Sequence, residues 1–219
     1  MIWVRLLTLD SLTEQDTLSA EVSALPFGKS EVARLKSLTQ PSTLRQSLGA
    51  LLALKELTDR RALGQSLSIV RDADGKPHFD DPTMPDFNLS HTDTLVAAAL
   101  GDEQSGSVGI DVQLRKNLPH SDSIAKRFFS SDEQKKLAER IYGDDTFFVL
   151  WTKKEAVAKQ SGKGILADRT TAFPKKSFNR SYRLTLSDQT AYLTVSAEHP
   201  IKTIEIFYDK EISLYELPN

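Results

Sequence analysis

Two short stretches hold the residues best suited to chemistry. Val108-Gly109-Ile110-Asp111-Val112-Gln113 reads as a strand, on which Asp111 and Gln113 share one face while Ile110 and Val112 share the other. An acid beside an amide on one side of a buried strand suits a cation held through oxygen. Alone, the segment fits equally an Asp111 that opens a turn and a Gln113 that faces water. The second stretch is Trp151-Thr152-Lys153-Lys154-Glu155-Ala156-Val157-Ala158-Lys159. In a helix, Trp151, Glu155 and Lys159 follow one another turn by turn on one face. The acid there can bind metal and the lysine can meet a phosphate. Taken alone, the simpler account is a surface Glu–Lys pair with the tryptophan in the core.

The chain contains no cysteine, and its only histidines are His78, His91, His120 and His199, none at a metal-binding spacing. Thiolate metal sites, disulfides and cysteine nucleophiles are thereby excluded. Any metal is expected to be a hard cation held by oxygen, magnesium or manganese. Ser161-Gly162-Lys163-Gly164 resembles a phosphate loop but lacks the required glycine at Val157 and the hydroxyl at Gly164, so a helix end is expected there. Asn88-Leu89-Ser90-His91 sets hydrogen-bonding side chains at a strand end. Lys76, within Asp74-Gly75-Lys76-Pro77, and Arg45 are each, taken singly, ordinary solvated cations of a turn and a helix.

These residues need elements to hold them. Leu44, Leu48, Leu51, Leu52, Leu54 and Leu57 recur at helical spacing, with Pro41 at a helix start or between two helices. Ile2–Leu9, Phe87–Ser90, Leu95–Leu100 and Val108–Gln113 read as strands, with a polar turn at His91–Thr94 and a linker at Gly101–Ser107. Ser131 with Gln134 forms a capping-box pattern opening a helix to about Ile141. Asp144 or Asp145 can cap the next helix, which runs through Trp151 to Gly162. After Phe173, Tyr182–Leu186, Ala191–Ala197, Thr203–Tyr208 and Ile212–Leu217 alternate with a period of two, predicting an antiparallel sheet. Helix and strand occur on both sides of a break near residue 105, so the fold class is α+β, a layout open to two similar halves packed together. The 219 residues carry 28 basic and 30 acidic side chains, a net charge of -2 with 39% hydrophobic residues. That balance fits a globular protein and demotes nucleic-acid binding. No apolar run approaches a membrane span, no signal peptide is evident, and a cytoplasmic location is the expectation.

Phe87-Asn88-Leu89-Ser90-His91, then Val108–Gln113, then Trp151–Lys159 with Gly162 stand in the order and approximate spacing of the 4′-phosphopantetheinyl transferases. The sequence resembles the larger, Sfp-type branch of that family, named for the surfactin-synthetase activator. Arg45 with Gly49, Gly75-Lys76-Pro77 and Ile124-Ala125-Lys126-Arg127-Phe128-Phe129-Ser130 add to the likeness, which spans roughly Arg45 to Leu166. The resemblance implies a pseudo-dimer of two α/β halves, residues 1–105 with the nucleotide end of coenzyme A and 106–219 with the metal site and carrier-protein docking. It implies Mg2+-dependent transfer of the phosphopantetheine arm of coenzyme A to a serine of an acyl or peptidyl carrier protein, releasing adenosine 3′,5′-bisphosphate. Asp111 and Glu155 match the family's metal-binding acids, and Glu155 would also take the serine proton. Lys159 matches the lysine that stabilises the phosphoryl group. Ser90 and His91 match contacts to coenzyme A phosphates, and Lys76 and Arg45 match residues at its nucleotide end.

Gln113 departs from the pattern, since many Sfp-type members carry glutamate there as a third metal ligand. An amide still offers one neutral oxygen, and magnesium readily accepts a water in place of the lost ligand. This departure motivates an alternative, a degenerate member that binds carrier protein or coenzyme A without turnover. A third reading, an unrelated magnesium-dependent nucleotide enzyme, lacks both a phosphate loop and a G-x-G-x-x-G segment. The partners expected are coenzyme A and an apo carrier protein, met by basic residues such as Lys126, Arg127, Lys135 and Lys136. No nucleic acid and no membrane are expected, and the pseudo-dimer suggests a monomer.

Overall fold

Strand β1 (Ile2–Thr8) buries both faces, and the two faces meet different layers. Ile2, Val4 and Leu6 pack toward a second sheet, whereas Trp3 packs toward helices. The computed structural model describes residues 1–10, 12, 15–64, 67–162, 177–187, 189–209 and 211–218. Lys163, Gly164 and Leu166 lie outside the described residues.

After β1 come helices α1 (Gln15–Ala24), α2 (Gly28–Ser37) and α3 (Pro41–Arg60). Pro41 occupies the first turn of α3, where its missing N–H costs nothing. Strands β2 (Ile69–Arg71) and β3 (Pro77–Phe79) form a small ribbon, followed by β4 (Phe87–His91), β5 (Leu95–Leu100) and β6 (Val108–Leu114). Helices α4 (Ser121–Phe128), α5 (Ser131–Ala138) and α6 (Thr146–Ser161) precede β7 (Phe178–Leu186), β8 (Gln189–Ala197), β9 (Ile204–Tyr208) and β10 (Ile212–Glu216). The first large sheet runs β4-β5-β1-β9 and the second β10-β7-β8-β6. Their facing sides share one core, with Leu95, Ala97 and Ala99 from β5 against Ile110, Val112, Leu193 and Val195. Helices α1–α3 cover the outer face of the first sheet, and α4–α6 cover that of the second. The mixed α+β class expected from the sequence is the class observed.

Five expectations need correction. The segment Thr203–Tyr208 does not join an antiparallel C-terminal sheet; β9 pairs in parallel with β1, Val4 opposite Ile206. Alternation marks a strand but not the sheet it joins. The capping box sits one residue earlier than expected: Ser130 accepts from the Glu133 N–H, and Glu133 Oε2 accepts from the Ser130 N–H at 2.6 Å. The helix ends at Ala138 rather than near Ile141. Before α6, a short 3-10 turn (Gly143–Asp145) intervenes, and Asp145 stands at the N-cap without a side-chain capping bond. Gly162 closes α6 in the left-handed conformation (φ 72°), as its residue type predicts. Gly101–Ser107 is a tight loop rather than a loose connection, with Ser105 buried and donating to the Met1 carbonyl at 3.0 Å.

Candidate active site

Gly109 explains how the two chemical stretches meet. A Cβ at this position would run into the Ala156 carbonyl and come within 2.6 Å of the Gln160 backbone nitrogen. Only glycine lets the backbone of α6 seat directly on β6. The neighbouring strand β8 adds polar contacts on the same outer face: Thr194 Oγ1 lies 3.0 Å from Thr152 Oγ1, and Ser196 donates to Gln160. With α6 fixed there, Glu155 and Lys159 project beside Asp111.

Asp111 is buried, 6% exposed, and its Oδ1 accepts from Ser90 Oγ at 3.0 Å and from Lys159 Nζ at 2.8 Å. Lys159 also donates to Ser90 Oγ at 2.9 Å, closing a triangle of strand β4, strand β6 and helix α6. Glu155 is half-buried and, among the described residues, makes no hydrogen bond or ion pair. Burial raises its carboxyl pKa above the ordinary value; the Asp111 charge raises it further, and Lys159 pulls it back. His91 keeps an exposed edge on the same strand as Ser90. Partial withdrawal of its ring from water, followed by the Lys159 ammonium, holds its pKa below the usual imidazole value against the pull of Asp111 and Asp93.

Among the described residues no three His, Cys, Asp or Glu side chains cluster as a ready metal site. The donors present are two neighbouring acids and an amide. Gln113 pairs across from Tyr192 and Asp111 from Thr194, so both side chains lie on the face covered by α6. Gln113 Nε2 donates to the Leu114 carbonyl at 3.3 Å, which leaves its amide oxygen for another partner. The Glu155 carboxylate, without a hydrogen-bond partner among the described residues and raised in pKa by burial and then by the Asp111 charge, fits a hard divalent cation that would relieve the repulsion between the two acids.

The remaining expected residues stand further out. Arg45, on α3, reaches the turn after β4 and donates to the Asp93 carbonyl at 3.4 Å, while its Nε is buried without a partner among the described residues. Lys76 belongs to the opposite end of β4. Its ammonium donates to Asp86 at 2.7 Å, to the Gln160 carbonyl at 3.2 Å and to the Val108 carbonyl at 3.5 Å. A cation on the last carbonyls of α6 also complements the helix dipole. Gly109 and Asn88 stood inside stretches quoted from the sequence but were given no role of their own, and Asp86 and Gln160 were not singled out at all. Only the alternation of polar residues at 86, 88 and 90 hints at the second and third of these.

Residues 107–204 match the family model of the 4′-phosphopantetheinyl transferase superfamily. The Synechocystis sp. protein slr0495, provisionally named a 4′-phosphopantetheinyl transferase, is 31% identical over 77% of this chain and 70% of its own length. The 4′-phosphopantetheinyl transferase Sfp of Bacillus subtilis is 36% identical over 60% of this chain and 55% of its own. The 4′-phosphopantetheinyl transferase AcpT of Salmonella typhi is 38% identical over 47% of this chain and 53% of its own. The chain thus matches little more than half the length of these last two. Asp111, Glu155 and Lys159 all fall inside the span matched by the family model, and the chain belongs to the 4′-phosphopantetheinyl transferase family of enzymes.

Proposed function

We propose that this enzyme transfers the 4′-phosphopantetheine arm of coenzyme A to a serine hydroxyl of an acyl or peptidyl carrier protein and releases adenosine 3′,5′-bisphosphate. The observation that carries this reading is one buried carboxylate, Asp111, shared by Ser90 and Lys159 with Glu155 near enough to feel its charge. Asp111 and Glu155 would hold a magnesium or manganese ion, with Gln113 as a neutral third oxygen. That ion supplies the positive charge that a pyrophosphate needs. Glu155, directly or through a water, would take the serine proton. The serine oxygen then bonds to the phosphorus nearest the pantetheine arm, and the pyrophosphate P–O bond breaks with its electron pair leaving on the bisphosphate. Lys159 donates to the oxygens of the phosphoryl group in transfer.

Ser90 and His91 are assigned to the phosphates of coenzyme A, and Arg45, with its partnerless Nε, to the nucleotide end. Lys76 would reach that end only by exchanging one of its three protein acceptors for a phosphate oxygen. Residues 1–105 and 106–219 are read as two similar halves of a cytoplasmic monomer, with coenzyme A between them and β9 of the second segment crossing back to the sheet of the first. The carrier would approach the second half, where Lys126 and Arg127 are exposed on α4.

The test is incubation of the full chain with a panel of apo carrier proteins, coenzyme A and magnesium, read by intact mass. At least one carrier is expected to gain a single phosphopantetheine, and only when a divalent metal is supplied. Binding of coenzyme A or carrier with no gain in mass across the panel would favour the degenerate binder and overturn this reading.

A further inference from the structure

Strands β4 and β6 are the adjoining edges of the two large sheets, but among the described residues no backbone bond joins them. Side chains do so instead. Asp86 Oδ2 accepts from the Val108 N–H at 2.8 Å, Asn88 Oδ1 from the Ile110 N–H at 3.0 Å, and Ser90 Oγ from the Val112 N–H at 3.2 Å. Each pair is 22 residues apart, so Asp86, just before β4, and two alternate side chains within it meet three alternate edge amides of β6. Phe87 and Leu89, between them, turn to the helical core on the opposite side. Val108 and Ile110 are fully buried, and their amides would have no water to turn to if the side chains withdrew.

We propose that Asp86 and Asn88 are positioning residues of the transfer site, setting the register of β4 on β6 and so holding Ser90 and His91 opposite Asp111. The inference rests on the transferase reading above. Ser90 is the third rung of the seam and also a member of the site, since the oxygen that accepts from Val112 donates to Asp111. A slip of one residue would turn Ser90 to the other face of its strand. Acceptors at 86, 88 and 90 alone, with apolar side chains between, make that slip unfavourable. The first rung is tied further: Asp86 holds Lys76, and Lys76 holds the Gln160 carbonyl near the end of α6. The helix that bears Glu155 and Lys159 is therefore referenced to the same seam.

The experiment begins with wild-type transfer from coenzyme A to a modifiable apo carrier in magnesium, which tests the reading itself. Asn88→Leu then removes the acceptor at similar volume, Asn88→Asp keeps it, and Asn88→Ser shortens it. Each is measured well below its melting temperature, where the folded fraction is complete. Asn88→Leu is expected to lower kcat by about a hundredfold, as a displacement of about 1 Å does, and Asn88→Asp to recover most of the rate. Should Asn88→Leu not fold, Asn88→Ser decides, with kcat expected to fall about tenfold. A folded Asn88→Leu or Asn88→Ser protein at the wild-type rate overturns the inference, as does an Asn88→Asp loss equal to that of Asn88→Leu. A wild type that modifies no carrier overturns the transferase reading and the inference with it.

Discussion

Among the described residues helix α6 carries two lysine–carboxylate pairs, and their difference separates scaffold from candidate site. Lys154 meets Glu133 at 3.0 Å with both side chains buried, 6% and 3% exposed. Lys159 meets Asp111 at 2.8 Å, but its side chain is 30% exposed. Glu133 is already committed, because the same oxygen accepts from the Ser130 N–H in the capping box of α5. Asp111 instead stands beside a second acid, Glu155, and a hydroxyl, Ser90. The chemical pair is the same in both places. What marks one as the candidate site is a lysine that reaches water and an acid whose neighbour has no hydrogen-bond partner among the described residues.

The comparison can be broken at several points. Lys159→Ala is expected to lower transfer by about three powers of ten with the fold kept, as loss of a charge aimed at the reacting phosphoryl should. Circular dichroism with single-turnover transfer checks it. Lys154→Met should act on stability instead. It strands a buried carboxylate whose Oε1 already lacks a partner among the described residues, and urea unfolding is expected to show a loss of about 3–5 kcal/mol. Equal stability of Lys154→Met and wild type would erase the contrast between the two pairs.

Gln113→Glu sharpens the open site. A third carboxylate on the face of Asp111 should lower the magnesium concentration for half-maximal rate by about three- to tenfold. Superimposable magnesium and manganese titrations would remove Gln113 from the site. The smallest effect concerns the metal-free protein. Glu155 has a folded-state pKa above its unfolded value, so ionising it costs stability; that cost is absent below the unfolded pKa and grows as pH rises through the folded one. Glu155→Gln in EDTA should therefore melt slightly higher than wild type at pH 7, and the difference should fade toward pH 4.

Much of the site was legible because its parts obey local periods. Asp111 and Gln113 share a strand face, Glu155 and Lys159 a helix face, and Gly162 ends that helix. What local patterns cannot give is the partner across the fold. Ser130 and Ser131 offer two capping frames in sequence. Glu133 settles the choice because its carboxylate also receives the buried Lys154 ammonium, a contact 21 residues away. The alternation of β9 was readable, but its parallel pairing with β1 depends on a chain return of about two hundred residues. The seam formed by Asp86 and Asn88 was not readable, since a side chain that satisfies a distant backbone amide leaves no local signature.

The most direct test of the central claim, that Asp111 and Glu155 form one centre for phosphopantetheine transfer, is single-turnover transfer by Asp111→Ala and Glu155→Ala at saturating metal and coenzyme A. Both proteins should keep the wild-type circular dichroism spectrum and lose transfer by several powers of ten, on the order of what removing charge stabilisation from a reacting centre costs. A folded Glu155→Ala protein that transfers at close to the wild-type rate would contradict it.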